Sequence, residues 1–308
     1  MLITQIVSFW GKGGVEKFIE TFPARSQQLV IGNDLKAISK INYADKKNIY
    51  FFHSPPYFLT ISYLILTGRG SKVGIFIHND LENLYSLFKK LIIYPWLAVI
   101  SLFHVKIIYL SSCNNFLSKF CSNSVKLGYI SNNTEFNVIK PIERKRIVFV
   151  SRYAKDKCLG RAVSLVQSLN DPEVILEVWG DGYEDVKSRF KDQVNIKFYG
   201  FTDDISKIYH HKKILLISSK FESGPLTAIE ALQKRMPVVS TKVGIFKNYN
   251  EAIQSGFRVY KDDEEAKRCL LYFLNDQKHE EDPRDFLQTI TYNDSDFYEL
   301  LLKHFKNT

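Results

Sequence analysis

The stretch FESGPLTAIEAL, residues 221–232, decides how the rest of this chain is interpreted. Two carboxylates, Glu222 and Glu230, stand in it with seven residues between them, and Gly224 and Pro225 precede a run of good helix formers. Proline at the first helical position loses no amide hydrogen bond, so we predict a helix from Pro225, with Glu222 in the loop before it. A helix N-terminus beside such a loop is a place to hold an anionic ligand.

Apolar runs on both sides of this stretch predict buried parallel strands. ILLI (214–217) precedes it and PVVST (237–241) follows it. Further runs alternate with helical patterns along the chain, namely QLVIG (28–32), NIYFFH (48–53), KVGIFIH (72–78), IVFV (147–150), VILEVW (174–179) and NIKFYGF (195–201). This alternation predicts an α/β protein with doubly wound, mostly parallel sheets.

Composition limits the class of protein. With 308 residues, of which 45% are hydrophobic and 24% charged, the chain suits two globular α/β domains, with one large domain as the alternative. Four cysteines (113, 121, 158 and 269) show no CxxC spacing, which favours reduced thiols over a metal site. The apolar start, residues 1–10, lacks the basic leader of a signal peptide.

The positive charge is concentrated in the first half. Residues 1–140 contain 15 Lys and Arg against 7 Asp and Glu, whereas the remainder contains 27 against 26. This asymmetry indicates an anionic partner, which could be a membrane surface, a phosphorylated acceptor or nucleic acid. A scattered, merely solvated basic surface is the alternative.

GKGGVEKF, residues 11–18, follows a strand predicted for the apolar residues 3–9 and admits three interpretations. A nucleotide-hydrolase phosphate loop would need glycine at Glu16 and a hydroxyl at Phe18, and it finds neither. The other two are a glycine loop at Gly13 and Gly14 that lets a ligand approach the backbone, and a tight turn without a ligand.

His78 ends the predicted strand KVGIFIH. Ligands of open α/β sheets gather at the carboxyl ends of strands, so His78 is better placed for a site than His53 or His104. A lone histidine is nevertheless more often structural than catalytic.

Residues 81–105 predict a long helical stretch with an uncharged run of about fifteen residues, broken at Pro95, which is too short to span a bilayer. It suits either a membrane interface or a buried helix pair. The polar segment 131–146, interrupted by Pro141, is predicted to be an interdomain linker.

The order of motifs in the second half resembles a known family. It runs SRY (151–153) with Lys157, VWGDG (178–182), FYGF (198–201), SSKFESGPLTAIEAL (218–232) and PVVSTKVG (237–244). This series resembles the second domain of retaining GT-B glycosyltransferases with a Glu, seven residues, Glu signature (group 1, family 4-like). Gly13, Gly14 and His78 fall where that family has its glycine loop and its histidine.

The resemblance implies a GT-B architecture, in which two Rossmann-like domains face a central cleft. Residues 1–140 would bind the acceptor and residues 141–285 the donor, and residues 286–308 would form a C-terminal helix crossing back to the first domain.

The resemblance also implies roles for individual residues. Glu222 would hold hydroxyls of the donor sugar, with His78 and Gly14 facing the same sugar, and Glu222 and His78 would form the catalytic pair. The donor phosphates would be bound by the cations Arg152 and Lys157 and by the amides of Leu226 and Thr227 at the helix N-terminus. Glu230 would hold the ribose.

The implied reaction moves a sugar from a nucleotide-sugar to a saccharide or polyprenyl-diphosphate-linked acceptor with retention, as in bacterial surface polysaccharide synthesis. No cofactor and no metal would be required, because the cations and the helix dipole do the work of a metal. Nucleic acid is not an expected partner. The expected location is the cytoplasm, with an anionic membrane surface on the inner face of the plasma membrane as a candidate partner.

Two departures from the family pattern leave other functions open. Cys158 stands where glycine is usual, and the loop at Gly244 has one glycine where two are common. A noncatalytic nucleotide-sugar-binding homologue is therefore one alternative, and a P-loop-like ATPase is another.

Overall fold

The chain forms two compact units. The computed structural model describes residues 2–8, 14–20, 22, 27–41, 47–53, 57–78, 87–109, 115–130, 145–190, 195–210, 213–222, 224–247, 256–275, 283–292 and 294–306. Met1–Asn132 and Thr291–Thr308 form the first unit, and Asn133–Ile290 form the second. The sequence predicted domain boundaries after residues 140 and 285. The structure divides the chain after Asn132 and after Ile290.

The first unit contains a parallel sheet of six strands in the order β2-β1-β3-β4-β5-β6. The strands are β1 Ile3–Val7, β2 Gln27–Ile31, β3 Ile49–His53, β4 Val73–Ile77, β5 Lys106–Tyr109 and β6 Ser124–Lys126. β1, β3 and β4 are buried at every position, as expected of central strands covered on both faces.

Within the described residues, five helices alternate with these strands. They are α1 Gly14–Glu20, α2 Asp34–Lys40, α3 Phe58–Leu66, α4 Leu87–Leu102 and α5 Asn115–Phe120. α4 contains Pro95 and belongs to the stretch predicted as helical from 81 to 105, of which residues 81–86 lie outside the described part of the chain. Among the helices described, none has the length and apolarity needed to cross a bilayer.

The second unit repeats the plan with the order β10-β9-β8-β11-β12-β13, again parallel. Its strands are β8 Arg146–Val150, β9 Ile175–Trp179, β10 Ile196–Gly200, β11 Lys213–Ile217, β12 Val238–Thr241 and β13 Phe257–Tyr260. Its helices are α6 Leu159–Ser168, α7 Leu226–Gln233, α8 Asp263–Asn275 and α9 Arg284–Ile290. Both doubly wound sheets predicted from the alternating pattern are confirmed.

The strand orders fix where ligands can approach. In each sheet the connections run one way from a central strand and then the other way, so that a crevice opens at the carboxyl ends where the direction reverses. In the first unit that point lies between β1 and β3, and in the second it lies between β8 and β11.

The C-terminal segment returns to the first unit. β7 Tyr129–Ile130 pairs with β14 Thr291–Tyr292, and α10 Asp294–Lys306 follows. The ring of Phe305 lies 5.3 Å from that of Phe51, and the ring of Phe297 lies 5.5 Å from that of Phe18. The last helix is therefore part of the first unit's aromatic core.

Candidate functional site

The centre of the second unit's site is an ion pair between Lys157 and Glu222. Lys157 follows β8 and Glu222 follows β11, the two strands that flank the point of reversal. Lys157 Nζ donates to Glu222 Oε1 over 2.7 Å, and both side chains are about four-fifths buried, with 20% and 19% exposed. Asp156 Oδ2 lies 3.5 Å from the same ammonium group. The sequence predicted both residues for the site but not that they contact each other.

Two serines and a threonine fix the loop that carries Glu222. Ser219 Oγ donates to Glu222 Oε1 over 2.9 Å, whereas the other carboxylate oxygen, Oε2, accepts no hydrogen bond from the described residues. Ser218 Oγ lies 3.0 Å from the carbonyl oxygen of Lys157. Thr241 Oγ1 donates to the carbonyl oxygen of Ser219 over 2.7 Å. Among the described residues, the carboxylate is thus held through Oε1 only.

Gly244 lets the loop after β12 approach the start of α7. It has a φ of +52°, which favours glycine, and an added Cβ would lie 2.8 Å from Pro225 Cδ and 3.2 Å from Gly224 Cα. A side chain here would push the loop away from the residues that precede the helix. The single glycine of this loop therefore stands at a position where two elements meet.

The N-terminus of α7 presents unpaired amides. Pro225 is the residue before the first helical residue, with φ −67° and ψ 98°, and no side chain caps the helix. The helix therefore begins at Leu226, one residue after the predicted start. The amides of Leu226 and Thr227 donate to no described residue, since the first intrahelical bond runs from Ala228 to Pro225. These two amides and the helix dipole suit an anion.

Arg152 extends from the end of β8 as an exposed side chain. It forms no ion pair within the described part of the chain. The turn after β9 supports the backbone beneath it, because Gly180, with φ +129°, lies against Ser151, where a Cβ would overlap the carbonyl oxygen. Tyr183 also donates to that carbonyl oxygen, over 2.8 Å. Arg152 is thus a cation on a firmly held strand end.

Glu230 lies inside α7, as predicted, and one of its oxygens is fixed by a tyrosine. Tyr209 donates its hydroxyl to Glu230 Oε2 over 2.6 Å. Burial, and then the carboxylate itself, raises the pKa of Tyr209 well above its usual value, so that the hydroxyl stays protonated and remains a donor. No sequence pattern pointed to Tyr209, which lies 21 positions away from Glu230 in a segment between strands.

Cys158 adopts the left-handed conformation, with φ 55° and ψ 48°. Glycine is the residue best suited to this geometry, which explains physically why the family pattern has glycine here. The turn from β8 into α6 is therefore kept despite the substitution. The departure noted in the sequence does not remove the turn that positions Lys157.

His78 lies at the corresponding edge of the first unit's sheet, directly after β4. Its Nε2 lies 2.8 Å from Nδ1 of His53, and Nε2 of His53 lies 2.6 Å from Oε1 of Gln5. Burial lowers the pKa of His78 to about 4. Burial and then the neighbouring His78 lower the pKa of His53 well below its usual value, so both rings are neutral at physiological pH. His53, which sequence reasoning ranked below His78, is its direct partner.

The glycine loop is only partly described. Gly14 is the first residue of α1, whereas Gly13 lies outside the described residues. Phe18 occupies the position where a phosphate loop would place a magnesium-binding hydroxyl. It is buried, and its ring lies 5.1 Å from that of Phe76 and 5.2 Å from that of His78. Phe18 is thus a core residue, which disfavours the P-loop-like ATPase.

Comparison with known proteins identifies the family. The model of the family described as glycosyl transferases group 1 matches residues 131–287, just over half of the chain. This chain is a group 1 glycosyl transferase. The match covers nearly all of the second unit and includes Arg152, Lys157, Glu222 and Glu230.

Two curated relatives align with parts of this glycosyl transferase. One, from Klebsiella pneumoniae, is named an uncharacterized 41.2 kDa protein in the cps region and is 28% identical over 120 residues. The other, from Bacillus subtilis (strain 168), is poly(glycerol-phosphate) alpha-glucosyltransferase and is 33% identical over 108 residues. The alignments cover 38% and 32% of this chain, and the chain spans only 33% and 16% of those relatives.

Solved structures show the same fold. A glycosyltransferase from Rickettsia africae ESF-5 is 17% identical with a TM-score of 0.72, and the match covers 100% of this chain and 99% of that one. Anabaena HepE, in complex with UDP and glucose, is 14% identical with a TM-score of 0.61, and the match covers 100% of both chains. The fold of this glycosyl transferase is therefore GT-B.

No group of three or more His, Cys, Asp or Glu side chains suited to a metal ion occurs within the described part of this glycosyl transferase. The acidic residues of the site instead pair with a lysine and a tyrosine.

Proposed function

We propose that this group 1 glycosyl transferase is a retaining enzyme of the Glu, seven residues, Glu type that transfers a sugar from a nucleotide-sugar to an anionic acceptor. The observation that carries the proposal is the Lys157–Glu222 pair at the point of reversal of the donor-side sheet, beside the uncapped start of α7. A cation, a carboxylate and unpaired amides close together suit a ligand that is both a sugar and a phosphate.

Glu222 is assigned to the donor sugar because of how its two oxygens are used. Oε1 is occupied by Lys157 and Ser219, whereas Oε2 has no partner among the described residues. An ionised carboxylate only accepts hydrogen bonds, and a sugar hydroxyl is a donor. Because Lys157 and Ser219 fix the group in advance, little ordering remains to be done when the sugar binds.

Lys157 is assigned to the diphosphate without loss of its contact to Glu222. An ammonium group has three donors, so it can keep one on Glu222 and direct another at a phosphate oxygen. Arg152 and the amides of Leu226 and Thr227 add positive charge where the nucleoside diphosphate departs with developing negative charge. These groups supply the stabilisation that a metal ion supplies elsewhere, and we propose that the reaction needs no metal or other cofactor.

Glu230 is assigned to the ribose of the donor. Tyr209 holds one carboxylate oxygen and thereby sets the orientation of the group. A fixed carboxylate suits the vicinal hydroxyls of a ribose, because each hydroxyl donates one hydrogen bond.

The first unit is assigned to the acceptor, and His78 and the loop at Gly13 and Gly14 are assigned to contacts with the reacting sugar. Its excess of basic residues, 15 against 7 acidic ones in residues 1–140, favours an acceptor that carries phosphate. A polyprenyl diphosphate carrying a saccharide fits this requirement and would place the reaction at the cytoplasmic face of the membrane. The poly(glycerol-phosphate) named for the Bacillus subtilis relative is a second acceptor of that charge class.

An exposed apolar surface supports peripheral membrane binding by the first unit. Leu66 at the end of α3 is 86% exposed, and Leu102 at the end of α4 is 68% exposed. These two helix ends lie together, since Gly70 packs against the carbonyl oxygen of Phe103. Exposed apolar side chains on a unit with excess positive charge suit the interface of an anionic bilayer.

The activity is tested by incubating the protein with UDP-, GDP-, ADP- and dTDP-sugars and measuring hydrolysis and transfer, with the product's anomeric configuration read by NMR. Glu222→Gln keeps the shape of the side chain and removes its charge, and we expect kcat/KM to fall by about 100-fold or more, the loss that follows removal of a transition-state contact. Asp156→Asn is the matched control. Asp156 also approaches Lys157, at 3.5 Å, but has no assigned contact to the sugar.

The outcomes separate the alternatives. Equal losses in the two variants would contradict the role of Glu222, and an inverted product would contradict retention. Binding of a nucleotide-sugar without any transfer would identify a noncatalytic homologue. Turnover that persists in EDTA is expected, and its abolition would contradict metal independence.

Membrane association is tested separately by flotation with anionic and zwitterionic liposomes at low and high salt. We expect binding to the anionic vesicles that weakens with salt, because the attraction is screened. The double change Leu66→Ser and Leu102→Ser should weaken that binding further. A protein that never floats with anionic vesicles would contradict the proposed location.

A further inference from the structure

A hydrogen-bonded chain of three side chains crosses the first unit's sheet edge: Gln5 on β1, His53 at the end of β3 and His78 after β4. The two links are 2.6 Å (Gln5 Oε1 to His53 Nε2) and 2.8 Å (His53 Nδ1 to His78 Nε2). β1 and β3 are the strands that flank the point of reversal, and β4 is the next strand. The chain therefore ends where ligands of this fold class bind.

Gln5 presents Oε1 to His53, and its Nε2 is buried without a hydrogen-bond partner among the described residues. Its Oε1 can only accept, so the hydrogen between it and His53 resides on Nε2 of His53. A neutral imidazole carries one hydrogen, so Nδ1 of His53 is then an acceptor, and the hydrogen of the next link resides on Nε2 of His78. Nδ1 of His78 is left with a lone pair.

The surrounding residues keep Gln5, His53 and His78 neutral and restrict their movement. Gln5 and His53 are 0% and 2% exposed. The ring of Phe76 stacks on that of His53 with 5.0 Å between centroids and an angle of 3°, and Phe18 contacts both histidine rings edge-on. Burial lowers the pKa of both histidines, so a second proton on either ring is disfavoured.

We propose that Gln5 and His53 are positioning residues that hold His78 in its Nε2–H tautomer, so that Nδ1 accepts a hydrogen bond from a hydroxyl of the donor sugar. The assignment of the sugar rests on the proposed function, whereas the tautomer does not. In the opposite tautomer Nδ1 would be a donor and would compete with other donors for the hydroxyl's lone pairs. The hydrogen bonds of Gln5 and His53 thus determine whether His78 offers the sugar an acceptor.

The tautomer is read directly by nitrogen-15 NMR of the imidazole rings in the full-length protein. The chain has seven histidines, so the signals of His53 and His78 are assigned with the variants His53→Phe and His78→Gln. We expect a protonated Nε2 and an unprotonated Nδ1 in both rings. A protonated Nδ1 on His78 would overturn the proposal.

Gln5→Met tests the origin of the tautomer. Methionine is as long as glutamine but offers no strong acceptor, so His53 can reverse its hydrogen bond and His78 should become a mixture of tautomers. Thr4→Val is the matched control, because Thr4 is the neighbouring residue of β1, is also 0% exposed, and its hydroxyl has no partner among the described residues. An unchanged His78 spectrum in folded Gln5→Met would overturn the proposal. If that variant does not fold, His53→Phe gives the same test, since it removes the acceptor of the His78 hydrogen.

Steady-state kinetics, with a nucleotide-sugar that the protein turns over, test the contact between His78 and the sugar. We expect kcat/KM to fall roughly tenfold in Gln5→Met, the order of one hydrogen bond, and to stay unchanged in Thr4→Val. A mixed tautomer with unchanged kcat/KM would overturn the sugar contact of His78. If no nucleotide-sugar is turned over at all, the proposed function and the sugar contact fail together, while the NMR result still decides the tautomer.

Discussion

Lys157, Glu222, His53 and His78 show that the partner of a functional residue is the part of a site hardest to predict. Their residue types and their places at strand ends follow from the sequence, because apolar runs mark the strands and polar residues follow them. The contacts join residues 65 and 25 positions apart. Such pairs depend on which strands become neighbours, and nothing local in the sequence encodes that.

The backbone conformation of Cys158 affects the stability of the fold. Its left-handed conformation costs a side-chain-bearing residue about 1–2 kcal/mol, which glycine avoids while losing some entropy on folding. We expect Cys158→Gly to raise the free energy of unfolding by up to about 1 kcal/mol and to leave activity intact. Cys158→Val should lower it, because a β-branched residue tolerates this conformation worst. Urea unfolding measures both, and a valine variant as stable as the glycine variant would contradict the explanation.

Among the secondary-structure elements, the positions of the strands were the most predictable from the sequence, and the packing of the C-terminal helix was the least predictable. The central strands are uniformly buried, so each appears in the sequence as an uninterrupted apolar run. The predicted crossing of residues 286–308 came from family resemblance alone, since an amphipathic helix shows which of its faces is buried but not against what.

The packing of α10 is tested by Phe305→Ala. Phe305 is 2% exposed and contacts Phe51, and an added Cβ on Gly74 of β4 would lie 2.9 Å from its ring. Truncating a buried phenylalanine costs about 3–5 kcal/mol, so the first unit should lose that much unfolding free energy. Lys303→Ala, at an exposed position of the same helix, should change it by less than about 0.5 kcal/mol. Hydrogen exchange of β3 and β4 localises the loss, and unaltered protection there in Phe305→Ala would count against this packing.

In the molecule as a whole, the two sheets have similar strand orders but different side chains at the carboxyl ends of their strands. The sheet of the second unit carries Glu222 in an ion pair with Lys157 and Glu230 hydrogen-bonded to Tyr209, whereas the sheet of the first unit carries neutral histidines among aromatic rings. The same topological rule places both groups at the carboxyl ends of strands.

The buried histidines predict an acid-labile fold. Their pKa values are lower in the folded chain than the unfolded value near 6.5, to about 4 for His78, so between these pH values the unfolded chain binds more protons. Above about pH 6.5 the two histidines therefore do not reduce the free energy of unfolding. Below that value it falls as the pH drops, by up to about 1.4 kcal/mol per pH unit for each histidine. Urea midpoints at pH 7.5 and 5.5 measure this, and His53→Phe should remove about half of the dependence. Stability that rises towards pH 5.5 would refute it.

The sequence by itself determined the α/β class, most of the strand positions, the two glutamates and their separation, and, through motif order, the family. These depend on local periodicity and spacing, which a linear chain carries directly. Only the tertiary structure decided that Lys157 and Ser219 hold one oxygen of Glu222, that Tyr209 contacts Glu230, and that Gln5, His53 and His78 form one hydrogen-bonded series. The physical reason is that a buried polar group must find its partner across the fold, and the partner is chosen by strand order and register.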